Sequence, residues 1–588
     1  MSGIFACIGT QPCKDILTNG LSLLKKRGTD TAGMALKTEE VISLMKAKGG
    51  TDLLKQNAEA VKSESTVGIA QCSFAVRCKA SNITAPPAAN NLFAVAIDGS
   101  IDNFDALRRW TRTPFPIATE EDLLLAMLCI LNTPDRMEMI KKLNNSLHGS
   151  PTYVFLPNDE EALYCHAGQQ PLLIGIAEDG FLAASELNAL LPYAKKYLVL
   201  ADGENVKITK DRILVYDEKG KRVKKSLFPV PDNSYFENDY SLGDEIYYCP
   251  LTVKETYHAF VKNGGLDFEL LRISKRGTER VKRILLTGTG SSFYAAKISA
   301  FHFEMLTDIP TTAVPSSELR YAGTLMDKNT LLIAVSHRGE TDDTIQCVKR
   351  AKRLGAKAIA VTSNANSCLA RSCDNVLNPH CDFDAGSVSL RSYLSSYLTL
   401  CFFALFLGYK NNIVTELYLN VSLKMAEMLP GKISAAIKNI PLLESTALDL
   451  MRAEKIFVTG LGADAALAQE AAKKIRDIAK RNAAVLPCGE LAEETEDFIS
   501  GALVLALMTN KELLQPALHP LRRLQSLGAR VVILTTSNME EEIGDFKNII
   551  AFNDSIPLFN PLPCIAGIYK IAVLADEMKN QDAAEQAG

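Results

Sequence analysis

The chain has 588 residues, 47% of them apolar and 22% charged, with a formal net charge of -4 at pH 7. That length exceeds one hydrophobic core and suits three domains of ordinary size, and the composition is that of a globular protein without a disordered arm. No basic block supplies the concentrated positive surface a nucleic acid needs, which sets that class of partner aside.

The longest apolar stretch, Tyr397 to Tyr409, falls short of the roughly 20 residues that span a bilayer, so it reads as a buried helix and no membrane is expected. The N-terminus lacks a charged region followed by an apolar run, and nothing marks it for secretion. Fourteen cysteines lie scattered without CxxC spacing, which fits reduced core thiols in a cytoplasmic protein. The seven histidines form no close cluster, so no metal site has support and no motif calls for a cofactor.

Residues 1–215 alternate short apolar runs with turns. Strands are predicted at 92–98, 152–157 and 196–203, and a helix over 119–132, which together describe a sheet-rich α+β domain. A charged, Tyr-rich and Pro-containing segment, 216–278, reads as a linker that docks on its neighbours. The pattern then changes. Residues 282–292 form a strand ending in a Gly/Ser loop, with a helical pattern over 293–307. Residues 330–344 and 356–367 repeat that plan, 454–464 restarts it, and 531–537 supplies a later strand. Strands alternating with amphipathic helices predict parallel sheets covered on both faces, and the restart predicts two such domains in tandem, 279–440 and 441–588.

Open parallel sheets bind ligands beyond the carboxyl ends of their strands. Those ends carry Thr289-Gly290-Ser291-Ser292, Ser336-His337-Arg338-Gly339-Glu340-Thr341 and Gly386-Ser387-Val388-Ser389. Small hydroxyl residues beside a helix N-terminus suit a phosphate, because free N–H groups and hydroxyls can surround its oxygens. Each loop alone reads more simply as a helix cap. Three in one domain favour an anion site.

These blocks resemble the sugar isomerase domains of the glutamine–fructose-6-phosphate aminotransferase family, the glucosamine-6-phosphate synthases. The family loops read Cys-Gly-Thr-Ser, Ser-Gln-Ser-Gly-Glu-Thr and Val-Ala-Ser. Carried over residue by residue, the resemblance implies substrate contacts at Thr289, Ser291, Ser292, Ser336, His337, Arg338, Thr341, Ser387 and Ser389. His337 replaces a glutamine that contacts substrate and Arg338 a phosphate-binding serine. Arginine can still bind phosphate through its planar donors, although a solvent-facing Arg338 is an equally simple reading. The family's catalytic helix, Leu-Glu-Gly-Ala-Leu-Lys-Leu-Lys-Glu, falls on Gln469 to Asp477. Its loop Gly-Glu-Leu-Lys-His-Gly falls on Gly489 to Glu494. Glu470, Lys474 and Asp477 are spaced to share one helical face, and Asp477 replaces the proton-moving glutamate with a carboxylate one methylene further back. Glu493 stands where the family has a histidine that assists ring opening, and a carboxylate with a pKa near ~4 is a poor acid at neutral pH. The family's C-terminal tail, with its Schiff-base lysine, has no counterpart after Lys579.

The first domain carries the same resemblance in Met1-Ser2-Gly3-Ile4-Phe5, where the family has Met-Cys-Gly-Ile-Phe, and in Arg27-Gly28-Thr29-Asp30-Thr31-Ala32-Gly33. Ser2 replaces the nucleophilic cysteine. It can serve as a nucleophile in principle but depends more on its surroundings, and its simplest reading is a small residue that permits Met removal. Ser73 stands where the family has the arginine that holds the carboxylate of glutamine. Asp98 with Gly99 replaces Asn-Gly of the oxyanion region, and an ionised carboxylate there repels a developing oxyanion.

The resemblance covers essentially the whole chain. It implies an α+β N-terminal nucleophile (class II glutamine amidotransferase-like) domain followed by two α/β sugar isomerase domains with parallel sheets. A hexose 6-phosphate is the expected ligand, and the expected assembly is a homodimer or a hetero-oligomer with an active relative. Three functions stay open. One is a catalytically degenerate relative that binds a phosphosugar for regulation, sensing or assembly. A second is an aminotransferase, deaminase or isomerase that uses ammonia rather than glutamine. The third, glutamine-dependent synthesis itself, is disfavoured by the changes at residues 2, 73, 98 and 493 and at the C-terminus.

Overall fold

A computed structural model gives the fold. It describes all residues except 1, 39–40, 76, 114–115, 150, 169, 171, 231–241, 269–279, 323–325, 366, 382–387, 439, 545 and 588. The chain divides into two compact units, Met1–Glu237 and Asn238–Gly588.

In the first unit, short and mostly apolar strands build two antiparallel sheets. One contains β1 (Ser2–Gly9), β2 (Thr31–Lys37), β3 (Ile42–Lys48) and β4 (Val67–Ser73). The other is centred on β5 (Phe93–Asp98), β6 (Thr152–Pro157) and β7 (Ala162–His166). Strands β8 (Leu173–Ala177), β9 (Gly180–Ala184) and β10 (Ala194–Val199) extend the first sheet, and β11 (Asn205–Thr209) and β12 (Arg212–Tyr216) extend the second. Alternation on β1 sends Ile4, Ala6 and Ile8 into a core shared with Ala96, Val154 and Leu156 of the second sheet. Phe5 and Cys7 point the other way, onto Leu17 and Leu21 of a helix over Lys14–Ser22. The second sheet's outer face is covered by helix α1 (Glu120–Ile130), through Leu123, Leu124 and Met127. Both sheets are thus covered on both faces, which is why β1 and β5 are apolar apart from Ser2 and Asp98 at their ends.

Two short helical turns, Leu242–Glu245 and Ile246–Tyr248, lead into helix α2 (Cys249–Phe260) of the second unit, inside the segment expected as linker. That unit then has a five-stranded parallel sheet of β13 (Arg283–Gly288), β14 (Thr311–Pro315), β15 (Thr330–Val335), β16 (Lys357–Val361) and β17 (Asn375–Leu377). Helix α3 (Ser291–Thr307) follows β13, α4 (Asp342–Arg353) follows β15, and α5 (Arg391–Lys410) follows the sheet. The spatial order is β14-β13-β15-β16-β17. Helix α5 is long and apolar enough to cross a membrane by composition, but it lies almost wholly inside the unit, where Phe402 and Phe403 pack against Phe260, Phe268 and Phe303.

The plan then repeats. Strand β18 (Ile456–Thr459) leads into α6 (Ala463–Asp477), followed by β19 (Ala484–Val485), helix α7 (Cys488–Ala492), β20 (Leu503–Leu507), β21 (Arg530–Thr536) and β22 (Ile549–Phe552). The order β19-β18-β20-β21-β22 matches that of the first sheet. A last helix, α8 (Pro561–Ala587), packs on α6. All fourteen cysteines are thiols outside any disulfide, and ten are buried. Burial pushes the Cys13 and Cys72 thiols up to about 12, which leaves them protonated and unreactive at neutral pH.

Candidate functional site

In both sheets the strand order reverses between the first strand and the third, and the crevice at that point is where doubly wound sheets bind ligands. In the first sheet it lies between the ends of β13 and β15. Gly290, with φ +58°, turns the chain into α3, so that the N–H groups of Ser291 and Ser292 face out of the helix N-terminus. Ser291 is buried, Ser292 half-buried and Thr289 exposed. Across the crevice the Ser336 and Thr341 hydroxyls lie 3.0 Å apart, and Ser336 Oγ accepts from the Gly339 N–H at 3.2 Å. Gly339 has φ +71°, and a Cβ there would lie 2.0 Å from Ser367 Oγ, so only glycine fits this turn. His337 Nδ1 is 3.1 Å from the Ser363 hydroxyl, and Arg338 is half-buried. Ser389 is half-buried just before α5, and Ser387 lies outside the described residues.

Helix α6 brings its lysines to this crevice. Lys474, fully buried, donates to Ser291 Oγ at 2.9 Å and pairs with Glu470 Oε1 at 3.1 Å. The Tyr569 hydroxyl from α8 donates to the same carboxylate oxygen at 3.1 Å, and its ring centroid is 6.0 Å from the ammonium. Glu470 is also fully buried, and that burial pushes its carboxyl above the ordinary range against the pull of Lys474. Asp477 does not join this pair. It accepts instead from Lys473 at 2.6 Å, with both side chains partly exposed. Glu493 is exposed at the end of α7, and among the described residues no side-chain hydrogen bond ties it to Glu470 or Lys474.

The equivalent turn of the second sheet carries a buried carboxylate. Asp464, at the start of α6, accepts from the Thr509 N–H at 2.8 Å and the Thr509 hydroxyl at 2.5 Å. Burial pushes its carboxyl up to about 6. A Cβ at Gly462 would lie 2.8 Å from Leu513, so the leucine packs against this turn.

In the first unit, sheet register sets Ser2 opposite Ser73 and Ser73 opposite Thr31 at one edge. The Ser73 and Thr31 hydroxyls are 3.0 Å apart. Asp98, at the end of β5, is fully buried and accepts from the Ser2 N–H at 2.7 Å and from Arg27 Nη2 at 2.5 Å. Arg27 also donates to the Ser2 carbonyl at 2.7 Å and to Glu186 at 3.1 Å. Gly99 follows with φ +114°. A cavity of about 300 Å³ opens beside these groups, lined by Ser2, Ser73, Arg77, Gly99, Glu120 and Glu121. Arg77 is held by Glu120 at 2.5 Å, and burial pushes the Glu121 carboxyl up.

Sequence reasoning missed Arg27, Glu186, Asp464 and Tyr569 as members of these clusters. Each meets its partner only through distant chain pairing, which a single sequence does not display. The Lys473–Asp477 pair did carry a local signal, an i,i+4 spacing.

The SIS domain family matches residues 279–406. The C-terminal domain of glucosamine-fructose-6-phosphate aminotransferase from Francisella tularensis superposes with a TM-score of 0.55 at 20% identity, over 59% of this chain and 98% of that one. The class is therefore a protein with tandem sugar isomerase folds preceded by an α+β unit. Glutamine–fructose-6-phosphate aminotransferase of Caldanaerobacter subterraneus is 26% identical over 97% of this chain and 96% of its own length. That of Thermus thermophilus is 26% identical over 98% and 97%. The chain is a divergent, full-length relative of the glutamine–fructose-6-phosphate aminotransferases.

Proposed function

We propose that this protein is a catalytically degenerate member of its family that binds a hexose phosphate at the first crevice and acts in regulation, sensing or assembly. The observation that carries this reading is the closed state of the retained chemistry. Lys474 and Glu470 are both fully buried and spend their charges on each other, on Ser291 and on Tyr569. A proton-transfer group must come within hydrogen-bond reach of the sugar, and a lysine held this way is a structural tie. The carboxylate at 477 is neutralised by Lys473. The hydroxyls of Ser291, Ser292, Ser336 and Thr341 and the helix N-termini around them remain as a phosphate cradle.

The first unit follows the same logic. Asp98 is bound to Arg27 and to the Ser2 N–H, so a carboxylate occupies the region where the amidotransferase reaction needs a donor. Ser73 offers a hydroxyl where a guanidinium would clamp the carboxylate of glutamine. The unit is a retained fold without glutaminase chemistry.

In this reading residues 1–215 form the glutaminase-like domain, 216–278 a docking linker, and 279–440 and 441–588 the two sugar isomerase domains. The protein works in the cytoplasm as a homodimer or with an active relative. The test is calorimetric titration of the full chain with fructose 6-phosphate and glucosamine 6-phosphate, followed by NMR of the same samples. Saturable binding with an unchanged sugar spectrum is expected. Turnover of either sugar overturns the degenerate reading, and absence of binding overturns the phosphosugar site.

A further inference from the structure

We propose that Lys473 is a ligand-contacting residue of the phosphosugar crevice and that Asp477 is its resident counter-ion, displaced when phosphate binds. This rests on the phosphosugar reading above and adds a regulated cation to that site.

The position comes first. Two successive lysines of α6 reach the turn that starts α3, in different ways. Lys474 enters from the buried side and takes the Ser291 hydroxyl. Lys473 lies on the open side, where its Cε would be 3.5 Å from a Cβ placed on Gly290. Gly290 has no side chain to hold the lysine away, so the lysine stem rests against the N-terminal turn of a 17-residue helix. That turn is where unpaired N–H groups and the helix dipole favour an anion.

The charges around it come next. Lys473 Nζ is held by Asp477 at 2.6 Å, and both side chains are 29% exposed. The other nearby carboxylate, Glu470, is buried with Lys474. Lys297 of α3 donates to Gln469 of α6 at 3.0 Å, which adds a second cation to the same helix pair. An i,i+4 pair at this exposure contributes little and exchanges readily. A phosphate dianion competes well for the ammonium, because it brings more charge and also meets the helix N-terminus and the Ser291 and Ser292 N–H groups. On binding, Lys473 turns from Asp477 to the phosphate.

The third observation is the sequence departure. The family motif has leucine at the position of Lys473 and glutamate at that of Asp477. A changed carboxylate and a new lysine within its reach form one unit. The unit neutralises the carboxylate and places a positive charge beside the phosphate loop.

The test is calorimetric titration of the full chain with fructose 6-phosphate and with inorganic phosphate, for the wild type, Lys473→Leu and Asp477→Asn. Lys473→Leu should weaken both ligands roughly tenfold, the scale of one charge-assisted hydrogen bond. Asp477→Asn should tighten both severalfold by removing the competitor, a direction that a folding defect cannot produce. Unchanged affinity in both variants, with the wild type binding normally, overturns this assignment alone. A wild type that binds neither probe overturns the phosphosugar reading and this assignment with it.

Discussion

Lys474 donates to the Ser291 hydroxyl at 2.9 Å across 183 residues of chain, and this bond ties the helix of the second parallel sheet to the phosphate-type turn of the first. With Glu470 and Tyr569 it forms a buried polar cluster in which the ammonium is satisfied and inaccessible. Such clusters hold two sheets in a fixed relation because any slip leaves a charge unpaired in the core.

Lys474→Met should therefore destabilise the second unit. It leaves Glu470 buried without its counter-ion, which costs about 3–5 kcal/mol. Adding Glu470→Gln removes the stranded charge and should recover more than half of the loss. Denaturant unfolding of the unit, followed through the double-mutant cycle, gives the coupling. A Lys474→Met protein as stable as the wild type sinks the structural-tie reading.

The first unit makes a chemical prediction. The wild type should release no glutamate from glutamine, and Ser2→Cys alone should not restore release, because Asp98 and Ser73 remain. Asp98→Asn should leave Arg27 facing Glu186 with one fewer charge partner and lower the stability of the unit by roughly 1–3 kcal/mol. An end-point glutamate assay with all three proteins decides the matter. Measurable hydrolysis by the wild type removes the case against the first unit's activity.

Five of the ten strands of the two parallel sheets, β13, β15, β16, β18 and β21, could be read from the sequence because each is a short apolar run, and those at 283–288 and 456–459 end in a Gly-containing turn before a helix. The Glu470–Lys474 pair was also legible, since spacing of four on a helix brings side chains together. Asp477, three residues beyond Lys474, fits that face equally well by periodicity, yet Lys473 stands four residues before it and takes its carboxylate. The choice between two lysines is made by burial. Lys474 faces α8 and loses access to Asp477, a fact that appears only when Tyr569 is seen beside it. Helix α2 was hidden for a related reason. Its buried face holds Thr252, Val253, Thr256 and Phe260, a mixed set whose apolar period is weak. The Asp98–Arg27 pair joins the end of a strand to a short helical turn, Lys25–Arg27, 71 residues away and had no sequence signature.

Acid should affect the units differently. Burial pushes His166 in the first unit and His302 in the second down to about 4. A histidine depressed when folded binds fewer protons than when unfolded, so its contribution is complete above about pH 6.5 and is lost as pH falls toward 4, about 3 kcal/mol each. Asp464 works in the opposite sense. Its folded carboxyl is raised to about 6, so the folded state takes up a proton first and the second unit gains stability as pH falls from 6 toward 3.8. In the second unit the raised carboxyls of Asp464 and Glu470 both oppose His302, whereas in the first the raised Glu121 opposes His166. Calorimetric melts from pH 7.5 to 4.5 should show the first unit losing stability faster, and His166→Asn should flatten its slope. An unchanged slope in that variant removes His166 as the cause.

The final prediction concerns Gly339, which makes the turn between Ser336 and Thr341. Its φ of +71° is unfavourable for any residue with a Cβ, and an added methyl would lie 2.0 Å from Ser367 Oγ and 2.9 Å from Thr362 Oγ1. Gly339→Ala must therefore move the loop, breaking the bond from its own N–H to Ser336 Oγ. Because Ser336 and Thr341 share that loop, fructose 6-phosphate should bind at least tenfold more weakly, the loss of about one well-placed hydrogen bond or more. The first unit's melting should not change, since Gly339 lies wholly within the second. Titration and melting of the same sample separate the two effects. Wild-type affinity in Gly339→Ala means the phosphate does not sit on this loop, and the crevice between β13 and β15 loses its claim as the binding site.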